Sequence, residues 1–423
     1  MGKFLNIFKI PDLRKKVLMV LFLLFVFRLL AAIPIPGIDA TRLEQFLSSN
    51  ELFGFLNIFS GGGLSNLSIM MLGVGPYITA TIIMQLLTIV FPKLKKAYYE
   101  EGAAGQAKFN RISRYLTVPL AIFSGYGFLN LLASQQVLPN LSFLELVNNV
   151  IIIAAGSILI MWIGELISEY KIGNGISIII FAGIVSNLPQ EVATALFNYN
   201  PQMLPTYIAF VILSIIVIAG VVFVNEGERK IPVSYAKQVR GTKMYGGVST
   251  YLPLRVNQAG VIPIIFAISL LLFPQFFAQM ISIASPSLSL KLNAWVTGFF
   301  NNVPLYSLIY FILVVLFTYF YTAITFDPSE ISKNLQRSGG FIPGIRPGQA
   351  TTDTIARITR RITLFGAVFL GVIAILPNIT QIVTGIQALT IGGTALLIVV
   401  AVALEIMKQI ESQLTVREYE GIF

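Results

Sequence analysis

The ionisable side chains nearest the interior of apolar stretches are Arg28, Glu165, Glu169 and Glu405. Charged groups at membrane depth could relay protons or hold a solute, the chemistry of pumps and secondary transporters. All four sit toward the ends of their stretches, where a long side chain snorkels to the interface. No aspartate pair lies within a stretch, which argues against an aspartyl intramembrane protease. The sequence has no cysteine and no histidine. Disulfides, Cys or His metal sites, Cys–His nucleophile pairs and Ser–His triads are therefore excluded. No GxxxxGK[ST] phosphate loop occurs, so the chain does not supply an ATPase of that type. Neither a metal nor a cofactor is expected.

What remains is polar and glycine punctuation of apolar segments. Gly73-Val-Gly-Pro-Tyr-Ile78 leads to Thr79, Thr81 and Gln85. Ile172-Gly-Asn-Gly-Ile-Ser177, Asn257-Gln-Ala-Gly-Val-Ile-Pro-Ile-Ile265 and Gly392-Gly-Thr-Ala-Leu-Leu-Ile398 open three further segments. Each alone is weak, because small residues also serve close helix packing. Residues 50–69 hold a short apolar run, Leu52 to Phe59, followed by Gly61, Gly62 and Gly63. Three glycines break a helix and permit hinging. From the residues alone, a re-entrant element lining a cavity and an interfacial helix on the outer surface are equally good readings.

The elements that position these residues follow from composition. The chain is 56% hydrophobic and 11% charged, with a mean hydropathy of +0.80. A soluble domain carries roughly 25% charged residues, so the solvent here is largely lipid. A crossing needs about 20 apolar residues. Ten stretches qualify or nearly do: 17–33, 69–91, 116–132, 150–167, 176–188, 207–224, 261–281, 305–324, 364–382 and 391–407. The basic residues before the first stretch imitate a secretory signal, but its length and its end in Pro34-Ile-Pro-Gly37 predict a retained helix.

Ten crossings place both termini on one side. Lys3 to Lys16, Lys93 to Arg114, Lys171, Arg229 to Arg255, Lys333 to Arg361, Lys408 and Arg417 fall on one face, whereas the opposite face holds Arg42 and Lys291. The positive-inside rule makes the first face cytoplasmic and accounts for nearly all of the net charge of +10. Two cytoplasmic loops are long. In 225–257, the alternation of Ile231, Val233 and Tyr235 and a glycine-rich turn predict a β-hairpin. The loop 326–363 carries Gly339-Gly-Phe-Ile-Pro-Gly-Ile-Arg-Pro-Gly348, a run of turn signals around Arg346. If five crossings repeat as five, the second set is inverted, which places a pathway at their interface.

Taken together these segments resemble the SecY family of bacterial protein-translocation channels. The resemblance runs from Ile10-Pro-Asp-Leu-Arg14 to Gln409-Ile-Glu-Ser-Gln-Leu414. It is carried by Gly73-Val-Gly-Pro-Tyr-Ile-Thr-Ala80, Ile172 to Gly183, Glu228-Arg-Lys-Ile-Pro-Val233, Ala259 to Ala267, Phe341 to Gly348 and Gly392-Gly-Thr394. It implies an all-α integral membrane protein: ten transmembrane helices in two inverted five-helix halves (1–188 and 189–423) around a central pore, with a re-entrant plug helix and a cytoplasmic β-hairpin loop. The implied pore ring is Val74, Ile78, Ile176, Ile180, Ile265 and Ile398, with Val74 smaller than the usual isoleucine. The implied plug, about 52–66, includes Leu52, Phe55, Ile58, Phe59, Gly61, Gly62, Gly63 and Leu64. Thr79, Gln85, Ile265 and Phe266 fall on the implied lateral gate. Arg229, Lys230, Lys237, Arg240 and Arg346 fall on the implied docking loops, although for the lysines topology alone explains the charge equally well. The implied partners are the small subunits SecE and SecG, the motor ATPase SecA, the ribosome through its RNA, signal sequences, nascent polypeptides and membrane lipid. The implied location is the bacterial plasma membrane.

Overall fold

A computed structural model describes residues 10–35, 60, 63–64, 67–99, 101–134, 138, 142–197, 204–235, 238–240, 243–245, 249–284, 286–384 and 392–420. The helices are α1 (Pro11–Ala31), α2 (Gly75–Val90), α3 (Pro92–Tyr99), α4 (Gly102–Ser134), α5 (Phe143–Glu169), α6 (Gly175–Phe197) and α7 (Leu204–Glu226). Strands β1 (Glu228–Tyr235), β2 (Gln238–Arg240), β3 (Lys243–Tyr245) and β4 (Ser249–Arg255) follow. Then come α8 (Ile262–Ala284), α9 (Pro286–Asn301), α10 (Val303–Thr325), α11 (Pro328–Arg337), β5 (Gly340–Phe341), α12 (Gln349–Thr384) and α13 (Gly392–Glu420). Every apolar stretch read from the sequence falls on a helix. Among the described residues, four helical runs are by themselves long and apolar enough to cross a membrane: Phe143–Glu169, Tyr207–Glu226, Val303–Arg337 and Gln349–Thr380. Shorter apolar helices cover Gly175–Pro189 and Ile262–Leu271.

The chain divides into two compact units. One comprises Met1–Pro205, Ser269–Asn302 and Val402–Phe423, and the other Thr206–Ile268 and Val303–Ala401. In the first unit α4 packs on α2, α3 and α5, and α5 packs on α6 and α1. On α3, the Tyr98 ring lies 4.6 Å from Phe109 of α4, and burial raises the Tyr98 phenol above its ordinary range. A cluster of Ile35, Leu64, Leu67, Met71, Phe128, Leu129 and Ile153 forms the core beside the entry to α2. Gly156 lets α5 lie directly on the backbone there: a Cβ at this position would stand 2.0 Å from the Ile69 carbonyl oxygen. Only a hydrogen side chain permits that approach.

In the second unit α10 packs along α12. Gly371 faces the Phe311 ring, with room for no Cβ, and Asn378 Nδ2 donates to Ser307 Oγ at 2.9 Å between buried side chains. β1 pairs antiparallel with β4, from Glu228 opposite Arg255 to Ser234 opposite Ser249. β5 joins the other side of β1, Ser234 opposite Phe341 and Tyr235 opposite Gly340. This third strand ties the two long polar loops into one sheet. Ile231, Leu254, Ile342 and Ile355 form a small buried core beneath it, flanked by Leu335, Ile345 and Ile358.

The helices differ from the sequence reading at several ends. The stretch 69–91 becomes helical only at Gly75, because Ile69 N donates to Ile33 O, Gly73 takes φ +54° and Pro76 opens the helix. The loop 326–363 contains α11, capped by Asp327, whose side chain accepts from Ser329 N at 2.8 Å. α12 starts at Gln349, well before the apolar run at Leu364. α9 is an additional helix between two apolar stretches.

Candidate functional site

The aliphatic positions are set by helix openings. Val74 precedes α2, and Ile78 N donates to Val74 O at 3.0 Å, so the two stack one turn apart. Ile176 and Ile180 are likewise one turn apart on α6. In the second unit Ile265 lies in the first turn of α8 and Ile398 in the second turn of α13. Val74 and Ile180 are 0% exposed, Ile398 1%, and Ile78 and Ile265 5% each, while Ile176 is half-buried. None of the six carries a hydrogen-bonding side chain.

The Ile172 to Ser177 motif has a local geometry that explains its glycines. Ser168 Oγ donates to Gly164 O at 2.9 Å and accepts from Gly175 N at 2.8 Å. Asn174 Oδ1 accepts from Ile176 N at 3.1 Å and Ser177 N at 3.2 Å, capping α6. The start of α6 thus presses on the last turns of α5. A Cβ on Gly175 would lie 1.8 Å from Gly164 O, and one on Gly164 would lie 2.5 Å from Ile176 Cδ1. Ile176 is held by this backbone-to-backbone contact.

Of the residues expected at a lateral gate, Thr79 Oγ1 donates back to Gly75 O at 3.0 Å, and the buried Gln85 Oε1 has no hydrogen-bond partner among the described residues. Phe266 is buried edge-on against Phe317 and Tyr321. Asn257, which has no place among the sequence-derived site residues, donates from Nδ2 to Asn225 Oδ1 at 2.8 Å and Gly260 O at 3.2 Å. It fixes the end of α7 to the turn that leads into α8 and Ile265. Leu52, Phe55, Ile58, Phe59, Gly61 and Gly62 lie outside the described residues. Gly63 and Leu64 lie within them and are firmly packed. Ser68 N and Oγ both donate to Gly63 O, and Leu64 is 1% exposed.

The basic positions are on the sheet and its turn. Arg229 and Lys230 are exposed on β1, and Lys230 Nζ sits 3.4 Å from Glu228. Arg240 ends β2, and Lys237 lies outside the described residues. Arg346 is exposed on the turn between β5 and α12, flanked by Gly344 at φ +80° and Gly348 at φ +101°. These left-handed positions need glycine. Among the described residues no group of three or more acidic side chains could hold a metal ion.

Several helices long and apolar enough to cross a membrane, beside a small sheet with exposed basic side chains, define a polytopic membrane protein. A SecY family profile matches residues 68–407. The translocase subunit SecY of Mycobacterium tuberculosis is 42% identical over 444 residues, covering 100% of this chain and 99% of that protein. The Streptomyces galbus SecY is 43% identical over 443 residues, covering 99% and 98%. A solved protein-conducting channel superposes with a TM-score of 0.64 at 20% identity, covering 93% of this chain and 90% of that one. Sec61 from a canine ribosome–channel complex gives 0.58 at 20% identity, covering 93% and 90%. The chain belongs to the SecY family.

Proposed function

We propose that this chain is the protein-conducting channel of a translocase, passing unfolded secretory polypeptides across the membrane and releasing apolar segments into lipid. The observation that carries this reading is the set of buried aliphatic side chains at the openings of α2, α6, α8 and α13. An aliphatic constriction blocks ions by dewetting and needs no fixed charge. It also offers a passing chain no hydrogen bond, so sequence does not arrest transit. In this reading ten helices form two inverted halves, 1–188 and 189–423. Val74, Ile78, Ile176, Ile180, Ile265 and Ile398 close one ring, sealed by a plug over 52–66. Thr79, Gln85, Ile265 and Phe266 line the lateral opening.

The channel is passive, so force comes from partners on the cytoplasmic face. Arg229, Lys230, Lys237 and Arg240 on the hairpin loop meet ribosomal RNA phosphates, and Arg346 meets the motor ATPase SecA. The charge asymmetry favours a plasma-membrane orientation with both termini cytoplasmic. SecE and SecG complete the complex. The deciding experiment places a photoreactive residue at Ile78 and stalls a secretory chain in transit. Crosslinks at Ile78, and none at the exposed Ile151 of α5, are expected. Absence of crosslinks at Ile78 removes the channel reading.

A further inference from the structure

We propose that Thr351 and Ser332 are positioning residues that clamp the Arg346 turn, so that the guanidinium meets the motor ATPase pre-organised. This inference rests on the docking role given to Arg346 above. Arg346 makes no ion pair or side-chain hydrogen bond among the described residues, and it is exposed. Its backbone, by contrast, is fixed on both sides. Thr351 Oγ1 donates to the Arg346 carbonyl at 2.9 Å, and Ser332 Oγ donates to the Gly348 carbonyl at 2.9 Å. The Gly348 carbonyl also accepts from Thr352 N at 3.1 Å, the first hydrogen bond of α12. On the other flank Ile345 N donates to Ile342 O at 3.0 Å, and both isoleucines belong to the small core under the sheet.

The two hydroxyls differ from most helical hydroxyls among the described residues. Thr79, Thr81, Ser113, Thr117, Thr318 and Thr354 each donate to the carbonyl four residues back on their own helix. Ser332 has such a carbonyl available at Pro328 of α11, yet it reaches across to Gly348. Thr351 reaches out of the first turn of α12 to Arg346. Both side chains are shielded, Thr351 2% and Ser332 3% exposed, so water does not readily replace either bond. A turn with two left-handed glycines would otherwise sample many conformations, and ordering it at the moment of docking weakens binding.

The test uses the full chain in its reconstituted translocase complex. Thr351→Val keeps the side-chain shape and removes the donor. Thr351→Ser keeps the donor, and Ser332→Ala is the second probe. The concentration of motor ATPase that half-saturates translocation-coupled ATP hydrolysis is expected to rise about fivefold in Thr351→Val. The maximal rate and the melting temperature stay near wild type, and Thr351→Ser restores the half-saturation value. Hydrogen–deuterium exchange over 342–348, read without the motor, speeds up in Thr351→Val and in Ser332→Ala. In an Arg346→Ala background, Thr351→Val adds nothing further. Unchanged exchange in both variants overturns the clamp itself. Faster exchange combined with normal docking by Arg346→Ala overturns the docking role of Arg346, and the inference with it. A fivefold effect that persists in the Arg346→Ala background shows that the hydroxyls act elsewhere.

Discussion

Replacing Gly175 with alanine places a methyl carbon 1.8 Å from the Gly164 carbonyl oxygen, 2.7 Å from its carbon and 2.9 Å from Ser168 Oγ. Real Cβ atoms keep at least 3.0 Å from such neighbours, so α6 must retreat from α5 by roughly 1.2 Å at this point. Two of the three atoms are backbone and cannot rotate away. Overpacking of this kind costs about 1–3 kcal/mol. The retreat also strains the Gly175 N to Ser168 Oγ bond of 2.8 Å, worth about 1 kcal/mol. The combined loss of ~2–4 kcal/mol lowers the melting temperature of the detergent-solubilised complex by about 2–5 °C for a chain of 423 residues. Ile176 adjoins the displaced residue, so the same shift moves one member of the proposed ring and admits ions. Gly175→Ala is expected to melt early and to raise ion leakage of reconstituted vesicles. Gly75→Ala, where no atom lies within 4 Å of the added carbon, is the matched control. Wild-type melting and leakage in Gly175→Ala would refute the contact and its link to the ring. A lowered melting temperature with a tight seal would refute only the link.

Ile78→Asn and Ile265→Asn each put an amide where a buried aliphatic side chain stands, and hydration of the constriction should raise vesicle ion conductance several-fold while relaxing signal-sequence selection. If conductance and selection both stay at wild type, those positions leave the ring. Arg346→Glu reverses an exposed charge on a clamped turn, so motor-driven export should drop about tenfold with unchanged melting, because a charge-assisted contact is lost and a like-charge one gained. Export at the normal rate would remove Arg346 from the docking surface. Asn378→Ala deletes the donor of the buried bond to Ser307 and is expected to destabilise by about 1–2 kcal/mol. Pairing it with Ser307→Ala in a double-mutant cycle checks the assignment, since additive losses would mean the two side chains do not interact.

The sequence located the helices well because lipid imposes length and apolarity on each crossing independently of its neighbours. Each of the ten apolar stretches lies on a helix, and the alternation at Ile231 and Val233 marks the buried face of β1. Helix ends were less legible. α12 extends fifteen residues ahead of Leu364, through a polar segment including Arg357, Arg360 and Arg361 that hydropathy reads as loop. The exposed face of that segment carries the charge, while Ile355 and Ile358 face the core beneath the sheet. The close packing of Gly63 was not legible in the glycine run: a Cβ there would lie 2.8 Å from Ser68 Oγ and 2.9 Å from Met70 O.

By itself the sequence determined that this is a polytopic membrane protein and that its helices carry aliphatic side chains at their glycine-marked openings, and its charge distribution supplied the expectation that the basic loops share one face. These properties follow from composition, charge distribution and local spacing. Tertiary structure alone decided the contacts that join segments distant in sequence. Nothing local links Ser332 to Gly348, Phe341 to Ser234 or Gly175 to Gly164. Within its own helix a hydroxyl reaches only the carbonyls three or four residues back, so a partner on another element is set by packing, and a two-residue strand has no pattern of its own. Only when α11, β1 and α5 are packed does each of these contacts acquire a single geometry, and that packing decides how Arg346 and Ile176 are presented.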